Sequence, residues 1–288
     1  MNAVELKNVT FTYSKNTPFE KTAVSCVSVS FEEGKTTGII GHTGCGKSTV
    51  AQMINGLLKP TSGEVLVMGK NIWDEPKKIK DVRFTVGLVF QYPEYQLFEE
   101  TVRKDIAFGP KNMKLDKTEI EIRVKEAADF VGIPYEMLDA SPFDLSGGQK
   151  RRVAIAGVMA MRPKVLILDE PAAGLDPRGR DEILTRISDY KKQTGSTVIM
   201  ISHSMEDMAR YCDNIFVMSE GRKYLYGTPA EIFSDAARIE AVGLGVPRVT
   251  KLMNKLCEMG YGVDTSVYTL DGAEAEIMRL LGGDGNAT

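Results

Sequence analysis

Over the first 40 residues, apolar positions alternate with polar ones: Val4, Leu6, Val9 and Phe11, then Ala23, Val24, Val27, Val29 and Phe31. A period of two gives one face to a core and one to water, so the pattern predicts several antiparallel strands, the last of them residues 36 to 40. The period then lengthens. Val50, Met53, Ile54, Leu57 and Leu58 recur at helical spacing, and KPTSG at 59 to 63 stops the helix. Three later runs are apolar at nearly every position: VGLVF at 86 to 90, VLILD at 165 to 169 and TVIMIS at 197 to 202. Uniform runs alternating with helical stretches indicate parallel strands covered on both faces. Between the first two, residues 92 to 161 carry helical patterns with charged faces, such as 117 to 131, and read as an inserted helical lobe. After residue 227 come two short helical patterns, 248 to 259 and 273 to 281, and then GGDGNAT at 282 to 288, expected to be disordered. The prediction is an α/β fold at 1 to 227, with core segments 1 to 91 and 162 to 227, a helical subdomain at 92 to 161, and an extension at 228 to 288.

Composition narrows the function classes without choosing one. The 36 Lys and Arg stand against 39 Asp and Glu, a formal charge of −3, so no overall basic field marks a nucleic-acid partner. Cys26, Cys45, Cys212 and Cys257 are too scattered for a zinc or disulfide framework. The beginning of the chain lacks the basic start and apolar run of a signal peptide, and no stretch reaches the roughly 18 apolar residues of a membrane span. Any membrane role is therefore expected to come through a partner.

GHTGCGKST at 41 to 49 fits G-x-x-x-x-G-K-[ST] between a predicted strand and a predicted helix. Gly41, Gly44 and Gly46 would let the backbone wrap phosphates, with amides from Thr43 through Thr49 lining the turn. Lys47 adds a full charge, and Ser48 offers a hydroxyl to Mg²⁺. ATP with Mg²⁺ is the expected ligand, on a sheet that resembles the P-loop NTPase (RecA-like) type. His42 is read as a solvent-facing member of the loop. Cys45 either faces solvent or packs locally; in the first case a label on its thiol would block the nucleotide.

Four more residues sit where strands end. Asp169 and Glu170 lie just past VLILD, the edge where ligands bind in open α/β sheets. Asp169 would hold Mg²⁺ directly or through water, and Glu170 would polarise the attacking water. His203 follows the run at 197 to 202 and could bond the γ-phosphate and orient that water. Gln91, after VGLVF, offers an amide to the metal or the water at the start of the helical lobe. Tyr13 either stacks on adenine or packs as an ordinary strand tyrosine.

A second glycine pair, LSGGQ at 145 to 149, lacks both a lysine and a preceding strand. Ser146 is a good helix N-cap, Gly147 and Gly148 leave amides bare, Gln149 follows, and Lys150, Arg151 and Arg152 make the helix basic. It reads as half of an anion clamp. Its plainest use is a head-to-tail pairing in which each half-clamp closes on the triphosphate held by the other chain.

These motifs in this order, together with GLDP at 174 to 177, resemble the ATP-binding subunit of ABC transporters over about residues 4 to 226. The resemblance implies ATP hydrolysis, a signature loop acting across a dimer, Asp176 in a loop between the two sites, and an aromatic at position 13 stacked on adenine. The stretch QYPEYQLFEETVRKDIAFGPKN from Gln91, with the GHTG opening and the C-terminal extension, is similar to the second ATPase type of energy-coupling-factor importers for vitamins or transition metals. That likeness implies that Tyr92, Pro93, Glu94, Tyr95, Gln96, Leu97 and Phe98 meet a transmembrane coupling protein. It also implies a substrate-binding membrane subunit, a second ATPase held partly by residues 228 to 288, and a peripheral place on the cytoplasmic face of the membrane. The rival readings are a conventional ABC importer or exporter subunit, and a soluble ABC ATPase acting on nucleic acid or ribosomes.

Overall fold

In the computed structural model, which describes residues 1 to 283, two sheets stack with one layer of core between them and a second layer under the helices. β1 (Asn2–Tyr13) pairs antiparallel with β2 (Lys21–Glu32) and with β4 (Ser62–Val67), and β5 (Lys70–Asn71) completes a four-stranded sheet. β3 (Thr36–Ile40) leaves that set. It lies in the six-stranded sheet between β8 (Thr197–Ile201) and β9 (Asn214–Ser219), parallel to both. β6 (Val86–Val89) and β7 (Val165–Asp169) extend the parallel set beyond β8, and β10 (Arg222–Gly227) closes the other edge antiparallel to β9.

The uniformly apolar strands owe their composition to this stacking. In β7, Val165 and Ile167 face the antiparallel sheet, while Leu166 and Leu168 face the helices. β8 repeats the division with Ile199 and Ile201 against Val198 and Met200. Neither face is open to water, and the polar residues of these strands, Asp169 and Thr197, fall at their ends. On the first face lies α1 (Lys47–Ile54), shorter than its apolar pattern because the chain turns at Gly56, with φ +72. On the other lie α6 (Pro177–Thr194) and α7 (Met205–Tyr211).

The lobe consists of α3 (Val102–Asn112), α4 (Lys117–Val131) and α5 (Gly147–Met159), packed on one another through Ile106, Val124, Ala128 and Ile155. α2 (Ile79–Thr85) precedes β6 and faces the lobe across a groove. In the extension, α8 (Pro229–Phe233) and α9 (Ala236–Glu240) bury Phe233 and Ile239 in the main core. α10 (Arg248–Glu258) and α11 (Leu270–Gly283) build a small core of their own from Val249, Met253 and Ala273. The expected disorder at 282 to 288 does not hold at its start, where Gly282 and Gly283 end α11; the remainder lies outside the described residues. No helix among the described residues is long and apolar enough to cross a membrane.

Candidate functional site

The carboxyl ends of β3, β6, β7 and β8 converge, and the loops that follow them enclose a cleft of ≈ 330 Å³. Thr43, Gly44, Gly46, Lys47, Ser48 and Thr49 form its floor, Gln91, Asp169, Glu170 and His203 its far wall, and Tyr13 its mouth. Lys21, Ala23 and Ile201 also line it. Those three carry no motif; Lys21 could have been found only from its place opposite Tyr13 in the β1–β2 register.

The glycines of the loop have different physical reasons. A Cβ at Gly41 would come within 2.4 Å of the Met218 carbonyl oxygen, and one at Gly46 within 2.5 Å of that of Ala23. Both are required by the protein's own strands. Gly44, with φ +81, has nothing within 4 Å of such a Cβ and is the one that leaves space for a ligand. Cys45 turns inward, 6% exposed, and burial holds its thiol pKa above the usual value, so the labelling route open to a solvent-facing thiol is closed. The Lys47 ammonium is buried and donates to the carbonyls of Gly41 at 2.6 Å and His42 at 2.8 Å. His42 is outside the cleft lining. It is exposed, as expected, but its Nε2 also bonds the Val242 carbonyl of the extension.

Opposite Lys47, Ser48 Oγ donates to Asp169 Oδ2 at 2.7 Å, bringing a hydroxyl and a carboxylate side by side. This all-oxygen set, with Gln91 in the same wall, fits Mg²⁺, which takes few protein oxygens and completes its shell from phosphates and water. Glu170 follows with φ +53, a left-handed backbone that a non-glycine residue adopts at a cost, and such strain concentrates at functional sites. Its Oε1 is buried without a hydrogen-bond partner. Burial first, and the Asp169 carboxylate second, raise the Glu170 pKa to about 7, against the opposing pull of Lys47. His203 Nε2 stands 3.4 Å from Glu170 Oε1, and burial and the Lys47 charge hold the imidazole pKa below its ordinary value. A base tuned near neutrality thus sits beside a neutral donor, which is an arrangement for proton abstraction.

Tyr13 is 39% exposed, its hydroxyl 3.1 Å from Thr49 Oγ1 and its ring edge-on to Phe11. It is a packed strand residue that also presents a face at the cleft mouth.

LSGGQ is not part of the cleft. Ser146 caps α5, and Gln149 folds back so that its Oε1 accepts from the Ser146 amide, a reciprocal capping box. Gln149 is therefore engaged within its own helix, while Ser146 and Gly147 are exposed. The expected basic face of α5 is largely neutralised. Arg151 is buried and holds Glu94 through contacts of 3.1 and 2.9 Å and also the Ala173 carbonyl, while Arg152 binds Glu182 at 3.0 and 2.7 Å. Charge counted along the sequence overstates what an anion would meet. Asp176 caps α6 by accepting from the Gly179 amide at 2.8 Å.

The stretch after Gln91 divides in the same way. Tyr92, Tyr95 and Phe98 are exposed at 49%, 84% and 58%, and Gln96 is exposed as well. Pro93 is buried and Glu94 turns inward to Arg151, so these two do not face outward as expected, while Leu97 is half-buried, packed on the main core and in the wall of the groove between α2 and the lobe. The reason for Glu94 is electrostatic: a buried guanidinium without a partner would be strongly destabilising.

A family described as ABC transporter matches residues 24–173. The chain is 54% identical to a Clostridium acetobutylicum protein named energy-coupling factor transporter ATP-binding protein EcfA2, over 96% of this chain and 98% of that one. It is 51% identical to the protein of the same name from Caldanaerobacter subterraneus, over 98% of this chain and 99% of the other. Among solved structures, cbiO1 of Clostridium perfringens, described as part of the ABC transporter complex cbiONQ, superposes with a TM-score of 0.75 at 43% identity, covering 88% of this chain and 99% of that chain. A dimeric post-hydrolysis ATP-binding cassette, MJ0796 bound to ADP and Pi, gives 0.71 at 29% identity, covering 78% and 98%.

Proposed function

We propose that this chain, which belongs to the ABC transporter family and to its energy-coupling factor ATP-binding proteins, is the ATP-hydrolysing motor subunit of an importer for vitamins or transition metals. The observation that carries the reading is the division of labour within the fold. One cleft gathers a phosphate loop, the carboxylate of a residue with strained backbone and a histidine, while the second glycine pair lies outside it with Ser146 and Gly147 exposed.

The floor amides and Lys47 bind the β- and γ-phosphates, and the Tyr13 ring stacks on adenine. Mg²⁺ held by Ser48, Asp169 and Gln91 would neutralise phosphate charge. Glu170, ionised, takes the proton of the attacking water through its unpartnered Oε1, and His203 donates from Nε2 to orient the γ-phosphate. The exposed Ser146 hydroxyl and Gly147 amide in a second ATPase subunit seal the other side of the triphosphate. Asp176 stands in the loop between the two sites.

ATP closes the pair and hydrolysis reopens it, because the two states bind nucleotide differently. The Arg151–Glu94 pair joins the signature helix α5 to the segment after Gln91, so the two move together. Beside that segment a groove of ≈ 870 Å³ runs between α2 and the lobe, lined by Phe84, Leu88, Phe98 and Phe108. This surface suits an apolar segment of a transmembrane coupling protein, which supports a peripheral position at the cytoplasmic face of the membrane. Residues 228 to 288 contribute to holding the two ATPases together.

Purification of the tagged chain from membranes tests the reading. A hydrophobic membrane protein should co-purify, and Tyr95→Asp with Phe98→Asp should lower its recovery roughly tenfold or more, as for central aromatic anchors. Recovery of the chain wholly with ribosomes or nucleic acid would refute it.

A further inference from the structure

The turn at 241 to 248, which joins α9 to α10, lies outside the cleft lining but touches two of the segments that carry the ATP site, the phosphate loop and the start of α7. His42, the second residue of the phosphate loop, sets Nε2 against the Val242 carbonyl. The next residue, Gly243, has φ +67, and a Cβ there would lie 2.8 Å from His42 Nε2, so glycine alone lets the turn close on the ring. At the other end of the turn the Arg248 amide donates to Glu206 Oε1 at 3.4 Å. Glu206 is in the first turn of α7, which begins just after His203. Between the two contacts, Leu244 and Val246 are 8% and 5% exposed and are anchored in the main core that also holds Met205 and Met208. The turn is therefore fixed to the body of the protein and reaches out to His42.

His42 also faces the other way. Its carbonyl accepts from Lys47 Nζ at 2.8 Å, so ring and carbonyl of one residue connect the extension to the lysine that grips phosphate. We propose that residues 241 to 248 act as a strap across the ATP site, with His42 as a positioning residue. Its hold on Val242 sets the shape of the phosphate loop and couples nucleotide binding to the seating of the C-terminal extension. The coupling is reciprocal: a nucleotide that draws Lys47 toward phosphate relieves the His42 carbonyl and alters the strap, and displacing the strap weakens nucleotide binding by the same factor. The inference requires only that the cleft binds ATP, and it is independent of the transport reading.

The test uses the full chain, in the assembly in which it purifies, carrying Glu170→Gln to suppress turnover. Mg·ATP should change the backbone hydrogen exchange of residues 241 to 248. His42→Ala should abolish that response and raise the ATP dissociation constant roughly three- to tenfold, the equivalent of one net hydrogen bond. His42→Gln, whose amide can still donate to Val242, should restore both. Gly243→Ala, which leaves the loop sequence intact, should weaken ATP from the opposite side. The proposal is overturned if exchange at 241 to 248 ignores ATP, if His42→Ala binds ATP as its parent does, if glutamine fails to rescue, or if Gly243→Ala leaves ATP affinity unchanged.

Discussion

Glu170→Gln should cut steady-state ATP hydrolysis by roughly 10²- to 10⁴-fold, the usual contribution of a general base, while leaving ATP binding intact. Glutamine preserves the shape of the side chain but replaces a basic carboxylate by an amide too weakly basic to take the proton. The variant should therefore accumulate as a closed, ATP-bound pair, visible as retained nucleotide and increased mass on gel filtration. The pKa near 7 gives this assignment a pH signature. In the parent, kcat/KM should fall as pH drops below about 7, by up to about tenfold per unit, because the protonated acid is not a base. Stability follows the opposite sense. The carboxyl pKa is raised on folding from 4.5 to about 7, so the folded state is favoured at low pH and loses that advantage as pH rises through this interval. Glu170→Gln has no such group and should gain in melting temperature relative to the parent between pH 4.5 and 7, and keep the gain above it. Normal turnover by the variant would remove Glu170 from the mechanism.

Lys47→Ala should weaken Mg·ATP about a hundredfold or more, since it deletes two or more hydrogen bonds to charged phosphate, each worth roughly 1.5–3 kcal/mol. The buried ammonium also holds the carbonyls of Gly41 and His42, so the substitution leaves two acceptors on the loop without their donor. Lys47→Arg should fare little better, because a planar fork cannot replace a compact ammonium in a buried turn. Isothermal titration with a non-hydrolysable ATP analogue reads the loss directly. ATP affinity within a few-fold of the parent would mean that the loop amides alone carry the grip.

What could be read from the residues was local in origin. The phosphate loop, the strand ends carrying Asp169, Glu170 and His203, and the α/β alternation each depend on a few consecutive positions, where period and turn chemistry act directly. The strands β4 and β10 escaped notice because they are mostly exposed or half-buried and have no clean period, β9 although it is as buried as the strands that could be read, and the helices α8 and α9 because they hold less than two turns. The larger departures came from long-range pairing. Arg151 finds Glu94 across 57 positions, and His42 finds Val242 across 200. Neither partner has a pattern that announces the other, since each contact follows from how the lobe and the extension dock. The same docking explains the glycines: the motif suggests that all three make room for phosphate, whereas Gly41 and Gly46 are needed where β9 and β2 pass close behind the loop.

The claim that the cleft works only when another cassette covers it has a direct test in one dilution series. Phosphate release per chain and sedimentation should be followed together as the purified ATPase assembly is diluted. Turnover should fall in step with the fraction of paired cassettes and vanish when only single chains remain. Full turnover by a strictly monomeric chain would contradict the account, because the exposed LSGGQ segment would then have no triphosphate to close upon.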